Sequence, residues 1–392
     1  MAAVLARNPG IDAMLAAVDA ARAQIEAAGA LPNPMLSYQM APATLGAQGM
    51  PFGQSLQLSQ SFPWPGTLYL RRAAAEAEAR STAQRLADLR LQLAAQTRSA
   101  YAEWAYVHRA LAINEENQTI VARLRQAAEA AYASAQASQQ DVLQAQVELT
   151  RLQNQRLKLE RRQRIVQANI NGLLNQPPQT PLPPPRALPP PRDVPAFDAL
   201  RTKALARYPA LKSLAAQVAA SRASVKLAKK NAYPSFTVMA GYNSMWAQPE
   251  LRPMIGGSIT IPFGGDEAAE INAAQAKLRQ SRAHLANRRS QVLSNLAQTY
   301  AKAEQARLTV RLYTEKLLPL AKQNLRAALN DYRNGTGEFL TLVSAEQQLL
   351  MARLKRTQAR ANFFTRLAEL HYVTGGALFT AVPSTLKQES LP

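Results

Sequence analysis

Two hydrophobic periods divide the chain. Ser55-Leu56-Gln57-Leu58-Ser59-Gln60-Ser61-Phe62 alternates polar and apolar residues, the period of a strand with one wet and one greasy face. The pattern predicts strands at 35–45 and 53–63, forming a hairpin over 35–63 whose loop carries Pro42, Gly46, Gly49 and Pro51. A second hairpin is predicted over 234–263, with strands at 234–245 and 254–263. There Ile255, Gly257, Ile259 and Ile261 share one face and Ser258 and Thr260 the other, and the loop carries Pro249 and Pro253. After each hairpin the period becomes helical. Leu86, Leu93, Ala100 and Val107 recur at seven residues, as do Leu278, Leu285 and Val292, which is coiled-coil-like packing. Between residues 67 and 132 there is no proline or glycine, so a single helix of roughly 100 Å is expected at 1.5 Å per residue. Thr67 and Asp266 are the expected N-caps of the two long helices.

These elements occur twice at an offset of about 200 positions. Asn8-Pro9 recurs as Tyr208-Pro209, Tyr101 as Tyr300 and Tyr132 as Tyr332, and Asp141-Val142-Leu143 lies over Thr341-Leu342-Val343. A large unit has therefore been duplicated. The first repeat is expected over 1–172: a helix at 9–31, the hairpin, the long helix 67–132, a tip at 133–138 and a return helix at 139–172. The second is expected over 201–376, with the long helix at 266–333, a tip at 334–338 and a return helix at 339–373. Asn334-Gly335-Thr336-Gly337 reads as a tight turn, whereas 133–138 holds no glycine and is expected to be less sharply defined. The linker 173–200 carries ten prolines between Pro177 and Pro195 and reads as an extended strap. The tail 377–392 shows no clear pattern.

Composition narrows the class. Alanine is abundant and aromatic residues make up only 6% of the chain, which suits helices packed closely in pairs. Lys and Arg number 46 against 26 Asp and Glu, a formal charge of +20. That charge forms no block, which argues against a nucleic-acid partner. There is no cysteine, so disulfides, thiolate metal sites and a cysteine nucleophile are excluded. No apolar run reaches the ~18 residues of a spanning helix. No secretory signal pattern opens the chain, so an exported protein would need a leader that this sequence does not carry. Strands of about 10–11 residues nevertheless fit a membrane crossing. Four strands are too few to close a barrel, and open edges do not sit in lipid, so closure must come from other copies, three of which give an even twelve. Tyr38, Phe52, Phe62 and Trp64, with Phe236, Tyr242, Trp246 and Phe263, lie near the strand ends as an interfacial girdle would.

The layout and four segments resemble the TolC-type outer-membrane efflux family over roughly residues 5–376. They are Leu31-Pro32-Asn33-Pro34, Ser59 through Gly66, Tyr132 through Leu143, and Tyr332 through Leu342. The Phe62-Pro63-Trp64-Pro65-Gly66 block looks most like the heavy-metal, CusC/CzcC-like branch. The resemblance implies a mainly α fold with a small β part. Duplicated long helical hairpins would form a trimeric α-barrel, continuous with a 12-stranded transmembrane β-barrel with four strands per chain. It implies a homotrimer in outer-membrane lipid with a periplasmic extension, a periplasmic adaptor protein, an inner-membrane RND-type pump, no cofactor and no enzymatic activity. The strap and tail would belt the equator.

Site residues follow from the same resemblance. The tips Ala133, Ser134, Ala135, Gln136, Ala137 and Ser138, and Asn334, Gly335, Thr336, Gly337 and Glu338, match the end where an adaptor docks. Some family members close that end with acidic rings, at positions held here by Thr341 and Ser344. Asp141 keeps an acid at the equivalent place in the first repeat, and is equally what a helix N-terminus favours. Met35, Met40, Met50, Met239, Met245 and Met254 cluster in or near the hairpins, and thioethers suit Cu(I) or Ag(I), although methionine also fills apolar gaps. No resident metal is expected. His108, His284 and His371 stand far apart, and neither a phosphate loop nor a Gly-x-Ser-x-Gly elbow is present. The leading expectation is an exit duct passively conducting heavy-metal cations. A drug-efflux or type I secretion duct is the alternative within this fold, and a cytoplasmic helical scaffold the alternative of another class.

Overall fold

The computed structural model describes residues 1–45, 52–246, 248–262 and 265–378. In chain order the elements are α1 (Ala2–Arg7), α2 (Pro9–Gly29), β1 (Met35–Ala41), β2 (Gly53–Phe62), α3 (Thr67–Ala133), α4 (Gln139–Leu173), α5 (Phe197–Arg207), α6 (Pro209–Asn231), β3 (Ser235–Asn243), β4 (Pro253–Thr260), α7 (Asp266–Leu312), α8 (Leu318–Arg333) and α9 (Phe339–Val373). They form two compact units. Of the described residues, one holds those in 1–12, 88–208 and 290–378, the other those in 13–87 and 209–289.

The second of these units contains the sheet, an antiparallel array in the order β1-β2-β3-β4. Its helices meet through small side chains. Ala77 is buried on α3, and the Ser81 and Ser213 hydroxyls, on α3 and α6, lie 2.9 Å apart in the interior. Ser221 and Ser281 repeat that contact between α6 and α7 at 2.9 Å. Trp64 stacks on Tyr233 at 5.0 Å and on Phe236 at 5.9 Å, so the Pro-Trp-Pro-Gly entry to α3 is held against the start of β3. Gly66, with φ +89°, takes the turn that a β-carbon would strain, and α3 begins at Thr67 itself. Gly265, with φ +75°, does the same before α7. The expected N-caps Thr67 and Asp266 are therefore the first helical residues, displaced inward by one position.

The other unit is a bundle with a core from α3, α4 and α9: Val107, Ala110, Ile113, Leu152, Leu159, Leu350 and Leu354. A second cluster joins Val310 of α7 to Phe363 and Leu367 of α9. The strap, 174–196, has no regular structure, and its prolines supply carbonyls without N–H groups. Helix side chains satisfy several of the strap carbonyls. Trp104 Nε1 donates to Pro183 at 3.1 Å, Asn171 Nδ2 to Pro178 and Thr180 at 2.9 and 2.8 Å, and Arg360 to Leu188 and Pro189.

Three details depart from expectation. β2 has the expected 10 residues, but β1, β3 and β4 have 7, 9 and 8, fewer than 10–11, and Pro42–Thr44 and Pro249–Leu251 form 3-10 turns that end β1 and precede β4. Helix resumes at Phe197, inside the segment expected to be strap. The helix expected to run unbroken over 266–333 contains a π-turn, Tyr313–Leu317, where the Leu318 N–H reaches Tyr313. Pro319 supplies no N–H and its ring crowds the carbonyl one turn back, so the wider turn relieves both.

Candidate functional site

The sheet register assigns every side chain to a face. Leu36, Leu58, Ala240 and Ile255 lie in one row across all four strands, flanked by Tyr38, Leu56 and Tyr242 on one side and by Gln60, Val238 and Gly257 on the other. Phe62, Phe236 and Ile259 end this face. The opposite face carries Ser37, Gln57, Ser59, Thr237, Ser258 and Thr260, without a charged residue among the paired positions. Exposure is inverted relative to a water-soluble sheet. Along β3 each apolar-face residue is exposed and each polar-face residue half-buried. Ile255 is 90% exposed and Leu36 66%, whereas Ser59 is 8% exposed. A face of this kind suits lipid rather than water. Aromatic side chains mark both ends of it, with Tyr38 and Tyr242 in one row and Phe62 and Phe236 in another. Phe263 lies outside the described residues. β1 and β4 are the edges of the sheet. Among the described residues no helix is long and apolar enough to cross a membrane.

The methionines divide between the faces. Met35, Met239 and Met254 fall on the polar face and Met40 on the apolar one. Met245 is exposed beyond β3, and Met50 lies outside the described residues. Met239 Sδ accepts a hydrogen bond from Gln57 Nε2 at 3.3 Å and, with Met254, borders a shallow cavity of about 400 Å³ that also touches Trp246. Among the described residues no three His, Asp or Glu side chains converge in a way that would hold a metal ion.

The two helical tips are built alike. At the second, Gly335 has φ +73°, its N–H donates to Tyr332 at 3.2 Å, and the Thr336 N–H reaches Asp331 at 3.0 Å. This is the paired carbonyl capping that ends many helices. At the first, Ala135 takes φ +54° and donates to Tyr132 at 3.0 Å, while the Gln136 N–H reaches Ala131 at 2.8 Å. The glycine-free tip thus closes with the same bonds, and the expectation of a less defined turn is corrected. Tertiary packing supplies the reason. Ala128, Ala145, Phe339 and Val343 form one buried cluster with Tyr332 against it, so the first tip is held by the second. Ser134, Ala137 and Glu338 flank these turns, and Asn334 and Gly337 complete the second.

Asp141 closes a capping box. Its carboxylate accepts from the Ser138 N–H at 3.4 Å, and its own N–H donates to the Ser138 hydroxyl at 3.3 Å. Its charge, after burial, helps hold the Tyr332 phenol above its ordinary range. Thr341 is exposed and Ser344 half-buried on α9. Two acids lie further along, of which Glu346 is visible from sequence as a neighbour of the constriction positions and Glu148 is not. Glu148 is buried and accepts from Gln347 at 2.5 Å. Glu346 is buried, and burial raises its carboxyl pKa against the lowering effect of Arg353. Their spacing from the tips was visible, but their burial depends on neighbouring helices.

A family model described as outer membrane efflux protein matches residues 2–176 and 200–376. No curated protein matches the chain by sequence. Solved structures share its fold. VceC from Vibrio cholerae superposes with a TM-score of 0.80 at 18% identity, covering 95% of this chain and 94% of that one. CusC superposes at 0.82 and 17%, covering 96% and 91%, and the outer-membrane channel OprN at 0.81 and 18%, covering 95% and 88%. A four-stranded sheet with an exposed apolar face, duplicated helical hairpins and a match to both repeats agree: the chain belongs to the outer membrane efflux protein family.

Proposed function

We propose that the protein is the outer-membrane exit duct of a tripartite efflux system, a homotrimer that passively conducts heavy-metal cations outward. The exposed apolar face carries this reading. Lipid covers such a face without cost only if the edges of β1 and β4 pair with other copies, and three copies close twelve strands. The polar face then lines the pore. The tips around Ala135 and Gly335 point to the periplasm and dock an adaptor, which couples the duct to an RND-type pump. Asp141, Thr341 and Ser344 lie at the constriction there.

Two features support a metal cargo. One is the resemblance of the Phe62 to Gly66 block to the heavy-metal branch. The other is the placement of Met35, Met239 and Met254 on the polar face, where weak thioether contacts suit soft cations in transit. The absence of charge at the paired positions of that face also favours a duct that leaves selection to the pump. Drugs are therefore the control cargo. Growth of a strain lacking the gene, with and without complementation, is measured on copper, silver, zinc, cobalt, nickel and hydrophobic drugs. Restored tolerance to one or two metals supports the reading. Sensitivity to drugs alone keeps the duct and discards the metal cargo.

A further inference from the structure

A basic cavity of about 360 Å³ lies beneath the strap, between α3 and α9. His108 and Arg109 come from α3, Arg186 from the strap, and Arg356, Thr357 and Arg360 from α9. Four arginines thus line one space, with Arg353 one turn away on α9. The acid beside them, Glu116, is already engaged by Arg353 at 2.9 Å and Arg109 at 3.7 Å. The Nε atoms of Arg356 and Arg360 are buried and find no hydrogen-bond partner among the described residues. Arg360 has its other end fixed on the strap carbonyls of Leu188 and Pro189. Arg186 is anchored as well, its backbone N–H donating to the Tyr101 hydroxyl at 2.9 Å.

Arg356 and Arg360 are half-buried, with Arg109 and Arg186 at the exposed rim, and like charges crowded at partly buried positions repel one another and lose hydration. The crowding is visible in Arg356, whose pKa is lowered first by burial and then by Arg360, Arg109 and Arg353. An ion with several oxygens relieves both costs at once, since guanidinium forks donate paired hydrogen bonds to tetrahedral oxyanions. The Thr357 hydroxyl donates within its own helix, to Arg353, at 3.0 Å. His108, made less basic by burial and set edge-on to Trp104 at 4.2 Å, adds a wall rather than a charge.

We propose that this cavity binds a phosphate-class oxyanion, which ties the strap to α3 and α9 through Arg186, Arg109, Arg356 and Arg360. The site is independent of the transported cargo. Free inorganic phosphate and a phosphate headgroup share the required chemistry. Thermal unfolding and isothermal titration of the full-length protein in detergent are measured with sodium phosphate, with sodium chloride at equal ionic strength, and with phosphatidic acid vesicles. Saturable stabilisation by phosphate but not chloride is expected. Saturation only by the vesicles assigns the headgroup as the source. Arg356→Gln should raise the melting temperature without phosphate, by removing the crowded charge, and weaken phosphate about tenfold or more. Arg186→Gln, on the exposed strap, should weaken phosphate comparably while leaving the phosphate-free melting temperature unchanged. Equal effects of phosphate and chloride with no saturation by the vesicles, or unchanged phosphate affinity in both variants, would overturn the proposal.

Discussion

Ala135 carries the strain that Gly335 avoids. A left-handed backbone costs a residue with a β-carbon roughly 1–2 kcal/mol, partly offset by the greater freedom a glycine loses on folding. Ala135→Gly is therefore expected to stabilise the first tip by about 0.5–1 kcal/mol, and Gly335→Ala to destabilise the second by a similar amount. Hydrogen exchange of the amides at 131–138 and 331–338 reports both. Two buried groups give pH dependences of opposite sign. Burial, with the Arg98 charge, lowers His371 from 6.5 to about 4. The unfolded chain then binds the proton first, so the stability that neutral His371 contributes is complete above about pH 6.5 and is lost as the pH falls towards 4. His371→Gln should flatten that acid loss in a denaturation series. Glu346 is raised instead, so the native state binds its proton first and gains stability as the pH falls through the window above its ordinary value. Glu346→Gln should be more stable than the parent at neutral pH and should lack that gain. Position alone identified the tips, but not Ala135 as the left-handed residue of the first, because the ends of α3 and α4 are set by packing of Ala128 and Ala145 against Phe339 and Val343, which are distant in sequence.

At the scale of elements, alternation along the sequence defines the faces of the sheet, while strand length depends on the loops. The hydroxyl of Thr44 donates to Ala41 at 2.7 Å and accepts from the Gly53 N–H at 2.7 Å, closing the first hairpin after seven residues of β1. Lys placed at Val238, mid-face and apolar, should cost about 2–4 kcal/mol in the bilayer and lower the yield of assembled protein in the outer membrane. Lys at Thr237, the neighbouring position on the polar face, should leave assembly unchanged and alter conductance in planar bilayers. Equal assembly defects in the two variants would argue against the assigned faces. The π-turn before Pro319 was implicit in a single proline, since a missing N–H and a crowded carbonyl must be accommodated in any helix.

For the whole molecule, duplication and the resemblance of four short segments pointed to the efflux family before the fold was known, and the family match over both repeats agrees. The sequence by itself determined the order of elements and the amphipathic strands, because period and punctuation are local properties carried by consecutive residues. Only the tertiary structure decided which strand edges remain free, which acids are buried and where separated arginines meet. Arg109, Arg186 and Arg356 come from three segments of the chain, and no local pattern records their convergence. Strand pairing joins β2 to β3 across nearly two hundred residues, and burial depends on what such long-range contacts bring alongside each side chain. That dependence on distant neighbours is the physical reason the faces were legible in the sequence and the cavity was not.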